Sequence, residues 1–312
     1  MSDKVFLQIK DMIDFADRLR KQGKINSLLS FPTDFKSVYD LITQNQNNDF
    51  LIKSCIEGTI PFLSYSFSWT STMRHFRHYA FYGCQNLTSV YLTCDSIQSN
   101  TFAECSNLLN VELQKCSCVS DYAFLNCSKL NKFSINCLGS KSVYSYAFCN
   151  CTNLSMSVIP FSYIGEGAFQ NCNSLLDVQA EAFQIKDSAF ENCAFLSNVS
   201  ASLCFDIGSN AFLNCSNLVS VTIPACRSIY DNAFTGCRFL SVLSLPGCRY
   251  IGASAFAGIN YLSLYLDTLF SVSIHSFAFQ QFSGLIYVPQ SRFSQYLSNE
   301  TWVLYSNYLV SI

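Results

Sequence analysis

The sequence predicts an α/β repeat solenoid, and three observations carry that prediction. Ala-Phe dipeptides recur through most of the chain, usually with Cys three residues on and Leu three beyond that. Apolar residues then alternate for a few positions after the Leu. Half of the 312 residues are hydrophobic and only 13% are charged, against about 25% in a typical soluble domain. A disordered chain could not leave that much apolar surface unburied.

The repeat runs Phe81-Cys84-Leu87, Phe102-Cys105-Leu108, Phe124-Cys127-Leu130, Phe148-Cys151-Leu154, Phe169-Cys172-Leu175 and Phe190-Cys193-Leu196. It continues through Phe212-Cys215-Leu218 and Phe234-Cys237-Leu240, then degrades to Phe256-Ile259-Leu262 and Phe279-Phe282-Leu285. That makes about ten rungs of 21–24 residues. Five residues before each Phe stands another apolar residue, from Phe76, Ile97, Val119 and Val143 through Ile229, Ile251 and Ile274. Pairs such as Val90/Leu92, Phe133/Ile135 and Val221/Ile223 alternate with polar residues, the period of a strand with one buried face. A unit this short cannot bury its own apolar face, but stacked copies share one continuous core. Parallel strands lie about 4.8 Å apart, so ten rungs reach roughly 50 Å. The Asn126-Cys127, Asn150-Cys151, Asn214-Cys215 and Gly236-Cys237 steps suit a turn leading out of a short helical segment around each Ala-Phe.

Residues 1–45 differ in kind. Val5, Phe6, Ile9, Met12, Ile13, Ala16 and Leu19 follow the spacing of an amphipathic helix that Gly23 ends. A second short helix is expected through Val38, Tyr39, Leu41 and Ile42, capped by Thr33 or Asp34. This segment reads as an attachment or capping unit. Residues 46–71, with the polar run Gln44–Asp49 at their start, are the linker into the array, which spans 72–288. Residues 289–312 form a C-terminal cap, in which Pro289 lacks a donor for a next rung and Tyr296 and Trp302 cover the last core layer.

The pattern I-x-x-x-A-F-x-x-C-x-x-L-x-x-V-x-L, with Pro224-Ala225-Cys226 and Pro246-Gly247-Cys248 between repeats, resembles the BspA-type leucine-rich repeat over about residues 72–290. The stretch from Leu285 to Ser291, followed by Tyr296 and Trp302, is similar to the tail that closes many such arrays. Departures are a two-residue insertion near Gly139, Ser140 and Lys141, a poor strand at Ser157, Val158 and Ile159, and the missing Cys of the last two rungs. The strings Phe15–Arg20 and Val38–Ile42 are similar to leader segments that precede such arrays in proteins of Firmicutes prophages.

Several functions are excluded. A net charge of −2 does not suit nucleic acid, which needs clustered Lys and Arg. No run of eighteen apolar residues exists to span a membrane. Three histidines, His75, His78 and His275, do not complete a zinc ligand set. With no phosphate loop, nucleophile elbow or fixed carboxylate pair, neither cofactor, metal nor enzymatic activity is expected. Charges at Asp3, Lys4, Lys10 and Asp11 interrupt any signal-peptide core. Cytoplasmic synthesis is therefore expected, with virion or cell surface reached only by a non-classical route. The seventeen cysteines, an odd number, read as free thiols in a reducing compartment. They form two ladders: the Ala-Phe-x-x-Cys series, and Cys94, Cys116, Cys204, Cys226 and Cys248 eight residues before a Phe. Both are expected to act as small hydrophobes filling a narrow slot.

What remains is surface. The outward strand residues are Tyr91, Glu112, Ser134, Gln179, Ser200, Thr222, Ser244 and Tyr265. Solenoids use such extended faces for binding, and these eight are the candidate contacts for a protein or glycan surface. The resemblance implies a recognition or adhesion protein. A structural component of a phage particle, with residues 1–45 making a virion or homo-oligomer contact, and a cytoplasmic scaffold stand as alternatives.

Overall fold

The computed structural model describes residues 67–71 and 78–312, apart from 86, 138, 269 and 270. The helices expected in residues 1–45, most of the linker, and His75 and Phe76 lie outside the described residues. Each rung contributes two parallel strands. The longer ones form a four-stranded sheet (Phe67–Ser71, Leu87–Thr93, Asn110–Gln114, Lys132–Asn136) and an eight-stranded sheet that starts at Val158–Ile159 and ends at Leu309–Ser311. The shorter ones, two residues each from Ser96–Ile97 to Ser273–Ile274, build a single nine-stranded sheet. Register sets like on like: Ile185 pairs with Ile164 on one side and Ile207 on the other, and Val199 pairs with Val178 and Val221.

The Phe ladder runs through the middle of the core. From Phe81 to Phe279 the ten rings stack in sequence, with centroids 5.1–5.6 Å apart and planes within 10° of parallel. Burying each ring contributes about 2–3 kcal/mol, and each aromatic pair about 0.5–1.5 kcal/mol more.

The Ala-Phe segment is not helical, contrary to the sequence expectation. Two residues per turn have positive φ: one two residues before the Phe (Tyr122, Tyr146, Ser188, Asn210) and one two residues after it (Asn126, Asn150, Asn171, Asn192, Asn214). A left-handed residue every fourth position stops a right-handed helix from propagating. The freed N–H groups bond instead to the next rung, as Phe190 N–H does to Ala211 O at 2.8 Å and Asn192 N–H to Leu213 O at 2.8 Å. Asn tolerates this backbone better than most residues, and its amide adds a second ladder. Asn150 donates to Asn126, Asn171 to Asn150, Asn192 to Asn171 and Asn214 to Asn192 at 2.7–3.1 Å. The described helices are confined to the C-terminal cap: Phe293–Ser298 and the 3-10 turns Gln290–Arg292 and Trp302–Tyr308. The architecture is a parallel β-solenoid with few helices, and none of the described helices is long and apolar enough to cross a membrane.

The first cysteine ladder does more than fill a slot. Cys105, Cys127, Cys151, Cys172, Cys193, Cys215 and Cys237 each donate their thiol to the carbonyl of the Phe one rung earlier, at 3.0–3.2 Å. The same carbonyl accepts the N–H of its own rung's Cys, as Phe169 O does from Cys172 at 3.1 Å, so both lone pairs are used. The second ladder bonds within its rung: the thiols of Cys116, Cys204, Cys226 and Cys248 reach the carbonyl two residues ahead at 3.2–3.6 Å.

The fourth rung is a fault line. Ser157 occupies the position that Val111 and Val178 fill elsewhere and is exposed, so its strand shrinks to Val158–Ile159 and pairs only with Asp177–Ala180. The Phe133 ring occupies the space, edge-on to Phe124 at 5.7 Å and to Phe148 at 4.7 Å. Phe161, buried, stands where neighbouring rungs carry Cys116 or Ala182. The short-strand sheet runs through unbroken, Ser142–Val143 pairing on both sides.

At the far end two expectations need correcting. Leu285 is 42% exposed, and Ile286 and Val288 are the buried pair. The ninth rung has one residue fewer between Leu262 and the buried Leu264 than the eighth has between Leu240 and Leu243, and the tenth is one shorter again, so Leu285 pairs with Ser263, not Leu262, and faces out. Pro289 stays outside the ladder, and Leu309–Ser311 returns to pair with Ile286–Val288 just before it. Trp302 does cover the last core layer, but its companion there is Tyr305, with rings 6.0 Å and 5.1 Å from Phe279, while the expected Tyr296 packs edge-on to Trp302 at 4.9 Å. Trp302 Nε1–H donates to Val272 O at 2.7 Å and Tyr305 O–H to Ser276 O at 2.6 Å.

Candidate functional site

A strand with one buried face presents every second side chain outward, and parallel in-register pairing turns these into columns. Tyr91 lies beside Glu112 and Glu112 beside Ser134. After the fault line Gln179 lies beside Ser200 and Ser200 beside Thr222, and Ser244 lies beside Tyr265. All are exposed except Tyr265, which is half-buried. The structure therefore gathers the eight expected residues into two runs, with no strand pairing between Ser134 and Gln179's side of the array.

Two members were missed. Val158, 46% exposed, is the partner of Gln179 in the neighbouring rung. Tyr287 is the partner of Tyr265, and the two rings stack at 4.5 Å with planes 8° apart. Alternation from Ile159 outward marks Val158 in the sequence. Tyr287 was masked by placing Leu285 in the core, since a one-residue slip reverses every side chain. A second column, Asp177, Asn198, Ser220 and Val242, runs alongside. Asn198 donates to the Asp177 carboxylate at 2.5 Å, and the column turns apolar at Val242, which is exposed.

Among the described residues no group of His, Cys, Asp and Glu could hold a metal ion. The His275 Nδ1 accepts the Phe277 N–H at 3.2 Å. Burial pushes Cys193 up to about 12 and Cys204 up to about 11, the reverse of what activates a cysteine nucleophile, whereas the hydrogen bond with Cys94 holds Cys116 below its ordinary value.

No curated protein matches the chain. Among solved structures, a leucine-rich repeat protein from T. pallidum is 24% identical, over 49% of this chain and 78% of that one, with a TM-score of 0.45. A leucine-rich cell surface protein from Faecalibacterium prausnitzii is 19% identical, over 80% and 87%, at 0.46. A leucine-rich repeat protein from Bacteroides ovatus is 17% identical, over 78% and 66%, at 0.48. The BspA type leucine-rich repeat region matches residues 74–197 and 205–302 in six copies. With well over half of its length so matched, the chain belongs to the BspA-type leucine-rich repeat family.

Proposed function

We propose that this is a non-enzymatic recognition protein that binds a protein or glycan surface through the outward residues of its longer strands. The observation that carries the reading is the run Val158, Gln179, Ser200, Thr222, Ser244, Tyr265 and Tyr287, set rung by rung along one sheet. At about 4.8 Å per rung it spans close to 30 Å, a length suited to an extended partner rather than a small molecule in a deep pocket. Leucine-rich repeat proteins in general bind proteins or act in adhesion, and in general are not enzymes. Triple substitution of Gln179, Ser200 and Thr222 by Glu is expected to abolish adhesion to host cells or bacterial envelopes while the array stays folded. Unchanged adhesion removes the strip as the binding face.

The similarity of Phe15–Arg20 and Val38–Ile42 to prophage leader segments supports a second reading, a structural part of a phage particle that presents the array. Mass spectrometry of purified particles against cell envelopes and cytosol decides between virion, cell surface and scaffold.

A further inference from the structure

The short-strand sheet, away from the strip, holds a groove of about 450 Å³ at the middle of the array. It exists because side chains are missing. The residue after the buried Val or Ile of each short strand is Tyr144, Gly165, Lys186, Gly208 and Tyr230 in successive rungs. A Cβ on Gly165 would stand 2.8 Å from the Tyr144 carbonyl carbon, and one on Gly208 would stand 2.5 Å from the Asp187 nitrogen. Backbone meets backbone there, and Gly208 lines the groove without a side chain to raise its floor. Tyr163 and Tyr230, which is 42% exposed, stand at its ends. They belong to the fifth and eighth rungs, about 14 Å apart by strand spacing.

Between the rings the lining is polar and held in place. Gln184 donates to Asp206 Oδ2 at 3.1 Å, and Asp187 Oδ1 accepts the Ser209 N–H at 2.8 Å. At the rim Glu166 Oε1 accepts the Tyr146 hydroxyl at 2.6 Å. Each carboxylate keeps further lone pairs for a ligand, and Lys186 adds a donor.

We infer that this groove binds a short uncharged oligosaccharide, about two to three pyranose rings long. Sugar hydroxyls both donate and accept, which fits a floor that mixes carboxylates, an amide and an ammonium. The C–H faces of the rings fit against Tyr163 and Tyr230, whose amphipathic rings give contact area without demanding a dry pocket. Charge decides the sugar class. Glu166, Asp187 and Asp206 outnumber Lys186, so an acidic saccharide is repelled. Geometry disfavours an extended peptide. The groove lies in the interior of the nine-stranded sheet, where Gln184–Ile185 and Asp206–Ile207 are paired on both sides, and a peptide strand has no edge to join.

The test is titration of the full chain, by calorimetry and saturation-transfer NMR, with maltotriose, cellotriose and chitotriose, beside trigalacturonate and trilysine. At least one neutral trisaccharide is expected to bind with millimolar Kd or better, and Tyr230→Ala and Asp206→Asn are each expected to weaken it about tenfold. Glu300→Gln, at an exposed position of the C-terminal cap that belongs to neither strip nor groove, should leave binding unchanged. No neutral binding up to about 10 mM, tighter binding of trigalacturonate or trilysine, or wild-type affinity in both folded groove variants overturns the proposal. Should Tyr230→Ala lose its circular dichroism signature, Asp206→Asn and Lys186→Met carry the test. Failure of the strip substitutions to affect adhesion does not bear on this result, because strip and groove share no residue.

Discussion

The Asp231 carboxylate accepts the Ala253 N–H at 2.7 Å, and it reaches that donor across Gly252, where a Cβ would stand 2.3 Å from the same Oδ1. The aspartate and the glycine one rung later form a single device: one supplies the acceptor and the other clears its path. Asp187 and Gly208 repeat it, with Ser209 as donor at 2.8 Å. Asp231→Ala is expected to cost about 1 kcal/mol for the lost bond. Gly252→Ala should cost more, and Asp231→Ala should not rescue it, because the added Cβ also stands 2.7 Å from the Asp231 backbone nitrogen. Urea denaturation of the two single variants and the double variant checks this; full rescue would mean that only the carboxylate obstructs.

The Phe ladder should dominate stability. Phe190→Ala or Phe212→Ala, in the middle of the stack, is expected to cost roughly 3–5 kcal/mol, whereas Tyr265→Ala on the outer sheet should cost much less. Equal melting temperatures for the three would contradict the inward assignment.

Alkali should unfold the array through its thiols. Burial raises Cys193 from 9.0 to about 12 and Cys204 from 9.0 to about 11. Above pH 9 the unfolded chain releases these protons while the folded one retains them, so stability is full below pH 9 and is lost as pH rises toward 12. Each such thiol contributes a slope of about 1.4 kcal/mol per pH unit in that window. Cys193→Ala should flatten the slope by about one thiol's share in denaturant titrations between pH 8.5 and pH 11. Thiol titration of denatured, unreduced protein is expected to approach seventeen; a count near one would reveal a disulfide scaffold.

Deleting residues 1–45 is expected to abolish assembly or attachment and leave a soluble array, measured by light scattering and particle co-sedimentation. An insoluble or unfolded product would assign these residues to capping the first rung instead.

Much of this architecture is written in the spacing of single residues. Phe102, Phe124 and Phe148 recur because each must land on the one before, so the ladder is visible without coordinates. The partner of the Cys193 thiol is not visible, because Phe169 O is a backbone atom 24 residues away. The turn around Ala-Phe misled for a related reason. Ala and Phe alone suit a helix, and the left-handed Asn171 and Asn192 that prevent one act through bonds to neighbouring rungs. Leu285 reads as buried because its own rung lacks one residue between Phe279 and the strand, which sets Leu285 beside Ser263. The groove was illegible because its lining is gathered from five rungs and part of its floor is what Gly208 lacks.

The fault line at Ser157 also has a mechanical side. From Ser96–Ile97 to Ser273–Ile274 the described neighbouring rungs are stitched by both sheets and by the turns, except between Lys132–Asn136 and Val158–Ile159, where the longer strands do not pair. A load pulling the two ends apart crosses that plane through the short strands Cys118–Val119, Ser142–Val143 and Tyr163–Ile164 and the adjoining turns. Under tension this is where the stack yields first, parting into an N-terminal block that carries Tyr91 and Glu112 and a longer block that keeps both the Tyr265–Tyr287 pair and the saccharide groove whole.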